Sequence, residues 1–278
     1  MRMHGKVVYV SGSTRGIGRT IAELFAREGA KVAVTGRTVA KGEKVVEGIR
    51  EAGGEAEFFR LDVTDEHSVR NVIDAVVERF GRLDTLVNNA APTDAISTNV
   101  KPLTQYTTTE WEHILRGTLT GNVFWPWKYA VPHLKEAGGG NVINISSGHA
   151  VVGIGGFAAY AAAKGGMNAI TRVLAVEGAP HNIKVNTISV GRVISHAADT
   201  GVGVGGGHLT PRLGTPHDIA YAAMWLASDE NGFTTGSLVT VDGGLTINGS
   251  ALLGLSAEGS PQMATVAVRS AAPVDNDV

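Results

Sequence analysis

A single doubly wound α/β domain around a central, mostly parallel seven-stranded sheet is the fold that the sequence predicts. Two observations carry this. Seven short β-branched runs alternate with six amphipathic helical stretches along the chain. A glycine-rich turn, Gly12-x-x-x-Gly16-x-Gly18, joins the first such run to the first helical stretch.

The elements follow in order. Lys6–Val10 is a β-branched run that ends in Ser11-Gly12, a buried strand meeting a turn. Thr20–Glu28 carries Ile21, Leu24 and Phe25 at helical spacing and is stopped by Gly29. Lys31–Thr35 is the second strand, and Lys41–Ala52 a helix with Val45, Val46 and Ile49 inward, ended by Gly53-Gly54. Glu57–Leu61 is the third strand. Glu66–Phe80 is a helix with Val69, Ile73, Val76 and Val77 on one face. Thr85–Val87 is the fourth strand, before Asn88-Asn89, and Glu110–Lys135 reads as mostly helical. Asn141–Ile145, Lys184–Ile188 and Ser237–Val241 complete the strands, and Ala158–Glu177 and Asp218–Ala227 the helices.

Two segments break the alternation. Ser195–Leu209 contains Gly201, Gly203 and Gly205–Gly207 and reads as a flexible lid. The segment after Leu245 has little periodicity and ends polar. The expected division is a domain over residues 1–245 and a C-terminal extension over 246–278.

Composition narrows the function classes. The chain has 278 residues, enough to bury a core without crosslinks. Its 24 basic and 26 acidic residues give a formal charge of -2, which supplies no general attraction to nucleic acid or anionic lipid. Cysteine is absent, which removes disulfides, thiolate metal sites and thiol nucleophiles. The nine histidines show no metal-binding spacing, and no metal is expected. The uncharged stretch Ala150–Ala163 is far shorter than the ~20 residues of a membrane span. A soluble, cytoplasmic protein without a membrane partner is expected.

The glycine turn has the context of a dinucleotide cradle. Glycines let the backbone approach a pyrophosphate, and the helix that follows offers free N–H groups and the positive end of its dipole. No Lys-Ser/Thr follows the turn, which disfavours phosphoryl transfer. About 20 residues on, an acidic residue would mark a free ribose 2′-hydroxyl. Gly36 stands there instead, followed by Arg37, and Arg15 lies inside the turn. A guanidinium fork suits a 2′-phosphate, so NADP(H) is expected ahead of NAD(H).

Tyr160 and Lys164 stand at i and i+4 and share a helix face. An ammonium near a phenol favours the phenolate and lowers a pKa of ~10 toward working pH. Such a tyrosine can exchange a proton with a carbonyl or alcohol oxygen as hydride moves. Ser147 follows the strand Asn141–Ile145, at the sheet edge where ligands bind, and can hydrogen-bond the same oxygen.

Taken together these motifs resemble the short-chain dehydrogenase/reductase family, whose members have one Rossmann-type domain. The likeness spans roughly residues 5–245. It rests on Ser11-Gly12 through Gly18, Asp62-Val63, Asn88-Asn89-Ala90, Ser147, Tyr160-x-x-x-Lys164, Val185-Asn186, the stretch from Arg212 to Ala220, and Thr235-Gly236 through Asp242-Gly243-Gly244. The resemblance implies a cofactor site made by Gly12, Thr14, Arg15, Gly16, Ile17, Gly18, Arg37, Asp62, Val63, Asn89, Ala90 and Ala91. Gly191, Val193 and Ser195 would follow at the nicotinamide end. Within that set Asp62 would hydrogen-bond the adenine and Val63 would place its backbone beside it. Tyr160 would be the acid/base, Lys164 would hold the nicotinamide ribose and tune Tyr160, and Ser147 would orient the substrate. A homotetramer or homodimer is implied as well, with the Ala- and Gly-rich helix around Tyr160 packing across a two-fold axis.

Three departures from the family pattern stand out. Thr118 takes the place of an asparagine that anchors a water in the proton relay, with Asn122 one turn later as a possible substitute. Ala91 replaces a glycine, and Val190 replaces a proline before Gly191. The leading expectation is an NADPH-dependent reductase of a small ketone or aldehyde, run in reverse on a secondary alcohol. The alternatives are a reductase of acyl-CoA or acyl-carrier thioesters (3-oxoacyl or enoyl), and a cofactor-sensing protein without catalysis. His149, two residues after Ser147, either faces the substrate or is a loop histidine on a polar surface, the latter being the leading expectation, and Trp125 and Trp127 are expected to serve packing or a subunit interface.

Overall fold

In the computed structural model, residues 1–193, 208–210 and 212–248 are described. Seven strands form one sheet: β1 (Val7–Val10), β2 (Lys31–Gly36), β3 (Glu55–Arg60), β4 (Thr85–Asn88), β5 (Gly140–Ile145), β6 (Ile183–Val190) and β7 (Leu238–Val241). The spatial order is β3-β2-β1-β4-β5-β6-β7 and every neighbouring pair is parallel. The chain reverses its direction of travel across the sheet between β1 and β4, and the loops after those strands part there. In open α/β sheets that parting is where ligands sit.

Among the described residues there are eight α-helices: α1 (Gly16–Arg27), α2 (Val39–Glu51), α3 (Glu66–Phe80), α4 (Thr93–Thr98), α5 (Thr108–Leu115), α6 (Trp125–Glu136), α7 (Ala158–Gly178) and α8 (Pro216–Ala227). One core lies under α1, α2 and α8, where Val8, Val10, Val32 and Val34 meet Ile21, Phe25, Val46 and Met224. The other lies under α3, α6 and α7, where Val7, Tyr9 and Leu86 meet Ile73, Leu134, Met167 and Leu174. Strands buried on both faces are apolar at consecutive positions, which is why Val7–Val10 reads as an unbroken run.

Local chemistry sets the helix ends. Asp65 caps α3 by accepting the His67 N–H, and Gly81 ends it at φ +82°. Thr107 and Glu110 form a capping box at α5, and Thr215 and Asp218 form another at α8, where Pro216 takes the first turn. The Arg212 guanidinium holds the Asp218 carboxyl well below the usual carboxylate range.

The structure differs from the sequence reading at three places. The first helix starts at Gly16 rather than Thr20: Gly16, at φ +53°, turns the chain into it, and Gly18 already lies in its first turn. The stretch expected as one helix over Glu110–Lys135 is α5 and α6 joined by a π-helical segment, Arg116–Phe124. Such segments often occur at functional sites. The sheet is parallel throughout rather than mostly so. Ser195, nearly all of the expected lid, and residues 249–278 of the expected extension lie outside the described residues.

Candidate active site

A cleft of about 770 Å³ runs along the carboxyl edge of the sheet, from the turn after β1 to the start of α7. At one end Gly12, Thr14, Arg15, Gly16, Ile17 and Gly18 line it. At Gly12 and Gly18 this turn leaves no room for a side chain. A Cβ on Gly18 would lie 2.5 Å from both the Gly12 carbonyl oxygen and Asn89 Nδ2, and Gly12 itself stands at φ +64°. No side chain caps the N-terminus of α1, so its amide groups remain available to a ligand. That combination, a backbone cradle with uncapped donors, fits a dinucleotide pyrophosphate.

The cradle is tied down from below. Ser11 Oγ accepts the N–H groups of Asn89 at 2.8 Å and Ala90 at 3.0 Å, and donates to Asn122 Oδ1 at 2.6 Å. Asn89 Nδ2 donates to the carbonyls of Ser11 and Gly12. Asn122 is therefore committed to the base of the cradle. Its Nδ2 and the Thr118 hydroxyl are buried with no protein partner, and neither residue is among those lining the cleft.

Gly36, Arg37, Thr38 and Lys41 line the next part, with Leu61, Asp62, Val63, Ala90 and Ala91 opposite. Burial opposes ionisation of Asp62, yet the hydrogen bonds from the Thr64 backbone and hydroxyl, with Arg37 and Arg60 nearby, hold its carboxyl below the usual range. Arg37 and Arg15 both point at one acidic group that the sequence reading did not single out. Asp94, at the start of α4, lies 3.5 Å from Arg37 and 3.9 Å from Arg15, and Arg15 also donates to Thr93 Oγ1 at 2.6 Å. Nothing in the spacing of Asp94 signals this, since α4 lies far along the chain from the glycine turn.

The other end of the cleft holds Ser147, Tyr160 and Lys164, as expected. Ser147 follows β5 and caps a short turn, Gly148–Ala150, while Tyr160 and Lys164 share the first two turns of α7. Burial pushes the Tyr160 phenol up, and a hydrogen bond from Ser147 pulls it partly back. The sequence reading expected Lys164 to bring Tyr160 down. In the structure Lys164 is 2% exposed, its ammonium donates to the Ile145 carbonyl, and burial lowers its pKa to about 7. Its Nζ lies 5.7 Å from the centre of the Tyr160 ring. A lysine so desolvated carries less than a full charge near neutrality, so burial of the phenol prevails.

His149 is more engaged than a loop histidine on a polar surface would be. It is half-buried, its Nδ1 is 3.1 Å from Ser147 Oγ, and its ring packs edge-on against Tyr160 and Phe157. Spacing alone gives no sign of this, because it arises from the turn after β5. Trp125 and Trp127 pack into the core beneath α6. Gly191 and Val193 are not among the lining residues. A Cβ on Gly191 would lie 2.5 Å from Asp242 Cα, and Val193 forms a bridge with Gly214. Among the described residues no group of three or more His, Asp or Glu could hold a metal ion, and no helix is long and apolar enough to cross a membrane.

Known proteins resemble this chain over most of its length. A family model described as enoyl-(acyl carrier protein) reductase matches residues 12–246. The 7alpha-hydroxysteroid dehydrogenase of Clostridium sardiniense is 36% identical over 257 residues, covering 88% of this chain and 95% of that protein. The cyclopentanol dehydrogenase of Comamonas sp. (strain NCIMB 9872) is 35% identical over 254 residues, covering 89% and 99%. A solved 7alpha-hydroxysteroid dehydrogenase, complexed with NADH and 7-oxo glycochenodeoxycholic acid, superposes with a TM-score of 0.81 at 28% identity, covering 87% of this chain and 95% of that one.

Proposed function

Since the chain belongs to the short-chain dehydrogenase/reductase family of oxidoreductases, we propose that it reduces a ketone or aldehyde at the expense of NADPH, and oxidises the matching secondary alcohol in reverse. The observation that carries this reading is the placement of Ser147 and Tyr160 in one cleft with a glycine cradle at its other end. The bound nicotinamide supplies or accepts the hydride at the substrate carbon.

The chain's own residues handle the oxygen. Tyr160 gives its proton to the carbonyl oxygen in reduction and takes one from the alcohol in oxidation. Ser147 hydrogen-bonds the same oxygen and fixes the substrate face. Lys164 holds the nicotinamide ribose and, once the cleft is filled, favours ionisation of Tyr160. Gly191, Val193 and Ser195 serve the carboxamide end of the cofactor. Thr118, in place of the family asparagine, supports the relay side of Tyr160. Gly36 and Arg37, with Arg15, favour a 2′-phosphate and set NADP(H) ahead of the NADH that the solved relative holds. Assembly is as a homotetramer or homodimer in the cytoplasm, and light scattering measures the mass.

Paired fluorescence titrations with NADPH and NADH test the cofactor reading. Tight NADPH and weak NADH binding is expected, and equal or tighter NADH binding overturns it. Tyr160→Phe should abolish turnover of carbonyl compounds while leaving NADPH affinity unchanged. The description of the matching family model favours a second reading, reduction of an acyl-carrier thioester. A higher kcat/KM for a 3-oxoacyl or enoyl thioester than for the corresponding free ketone would establish it.

A further inference from the structure

We infer that Tyr106 is a specificity-determining residue, which holds one side of the cleft mouth shut and so favours compact carbonyl compounds over larger ones. This deepens the carbonyl-reductase reading and rests on it. Two stretches of chain flank the reacting end. One continues from Ala91, Pro92, Thr93 and Asp94, which line the cleft, through α4 to residues 99–101. The other is the loop over residues 153–157, which leads into α7 just ahead of Tyr160.

The Tyr106 hydroxyl bridges the two. It shares its proton between the Asn99 carbonyl at 2.5 Å and the Gly156 carbonyl at 3.1 Å. The Gly156 carbonyl also accepts the Lys101 N–H at 3.3 Å, so both its lone pairs are engaged. Gly156 stands at φ +90°, and a Cβ on it would fall 2.8 Å from Val100 Cγ1. The two backbones therefore touch, and no channel for a substrate passes between them.

The donor is held firmly and the loop it catches is not. Tyr106 directly precedes Thr107, the cap of α5, and its own N–H bonds the Leu103 carbonyl at 3.1 Å. Lys101 Nζ lies 5.3 Å from the centre of the Tyr106 ring and binds both carboxylate oxygens of Glu110, the other half of that capping box, at 2.8 and 2.7 Å. Among the described residues, Gly156 is the one member of 153–156 with a hydrogen bond, and Ile154 is exposed. A glycine-rich loop held at one point opens as often as that point lets go. Loss of one hydrogen bond there shifts the opening equilibrium by about fivefold. A compact ring ketone reaches Tyr160 without this side, whereas a larger one needs the room that residues 99–101 and 153–156 close off.

The test uses the full-length protein with Tyr106→Phe, which keeps the ring beside Lys101 and removes the hydroxyl alone. The first readout needs no substrate. The Lys101 amide, which donates to Gly156, should exchange with deuterium about fivefold faster in the variant. The second is turnover with NADPH of two neutral ring ketones, cyclopentanone and the fused two-ring decalone. The ratio of kcat/KM for decalone to that for cyclopentanone should rise by about fivefold, with NADPH affinity unchanged. A merely structural role would lower both substrates together. Val100→Ala, which keeps the hydroxyl and trims the contact on Gly156, should move the ratio the same way. Unchanged exchange at Lys101 overturns the latch, and an unchanged ratio in both variants overturns its role in specificity. Failure of the wild-type protein to reduce either ketone would instead overturn the carbonyl reading, and the exchange would still decide whether Tyr106 ties the two stretches together.

Discussion

Alanine at Gly121 should damage both the fold and the part of the cleft lined by Asp62 and Val63. Gly121 lies in the π-helical segment, where an added Cβ would fall 1.6 Å from the Val63 carbonyl oxygen and 3.1 Å from the Arg116 oxygen. Both neighbours are backbone, so no rotamer change relieves the contact. An ordinary carbon–oxygen approach is roughly 3.3 Å, so the loop after β3 must retreat by about 1.7 Å. That loop carries Asp62 and Val63. Overpacking typically costs about 1–3 kcal/mol, and the backbone displacement puts this case at the upper end. For a domain of this size that lowers the melting temperature by about 6–12 °C. Gly48 is the control. It is exposed in α2 with nothing within 4 Å of its added Cβ, so Gly48→Ala should gain about 0.5–1 kcal/mol and raise the melting temperature. Calorimetry and NADPH titration measure the pair. A Gly121→Ala protein melting within about 2 °C of wild type, with unchanged NADPH affinity, would refute the reasoning.

Three further outcomes are expected. Arg37→Ala should weaken NADPH binding about tenfold, the loss of one charge-assisted hydrogen bond, and leave NADH nearly unchanged by titration. Asp94→Asn should tighten NADPH binding by about two- to fivefold, because the carboxylate that engages Arg37 and Arg15 no longer competes with a 2′-phosphate. Lys164, with its pKa lowered to about 7, binds fewer protons when folded than unfolded between pH 7 and the ordinary lysine value. Its burial therefore costs the fold most below pH 7, and the cost fades as pH rises, by at most about 1.4 kcal/mol per pH unit. The stability of Lys164→Met relative to wild type should shrink steadily from pH 6.5 to 9.5, and a constant difference in denaturant titrations would contradict the shift.

What could be read from the sequence was what depends on neighbouring residues. The helix Glu66–Phe80 has the same bounds in sequence and structure, because its polar cap, apolar stripe and terminal glycine all sit within one segment. The glycine turn was legible for the same reason. The break in the long helix before β5 was not, because Gly117 and Gly121 favour close packing without revealing what they pack on. The orientation of Lys164 toward the Ile145 carbonyl, the approach of Asp94 to Arg37, and the contact of His149 with Ser147 each depend on how loops return to the sheet edge. A periodic pattern carries no information of that kind.

The parting of the sheet between β1 and β4 has a practical consequence for redesign. The groups proposed to face the adenosine, Gly36, Arg37 and Asp62, hang from β2 and β3, while Ser147 and Tyr160 hang from β5 and α7. Each set is anchored in a different half of the scaffold. Cofactor choice and carbonyl choice can then be evolved as separate modules, with libraries screened independently and the winners combined by simple addition of their free energies.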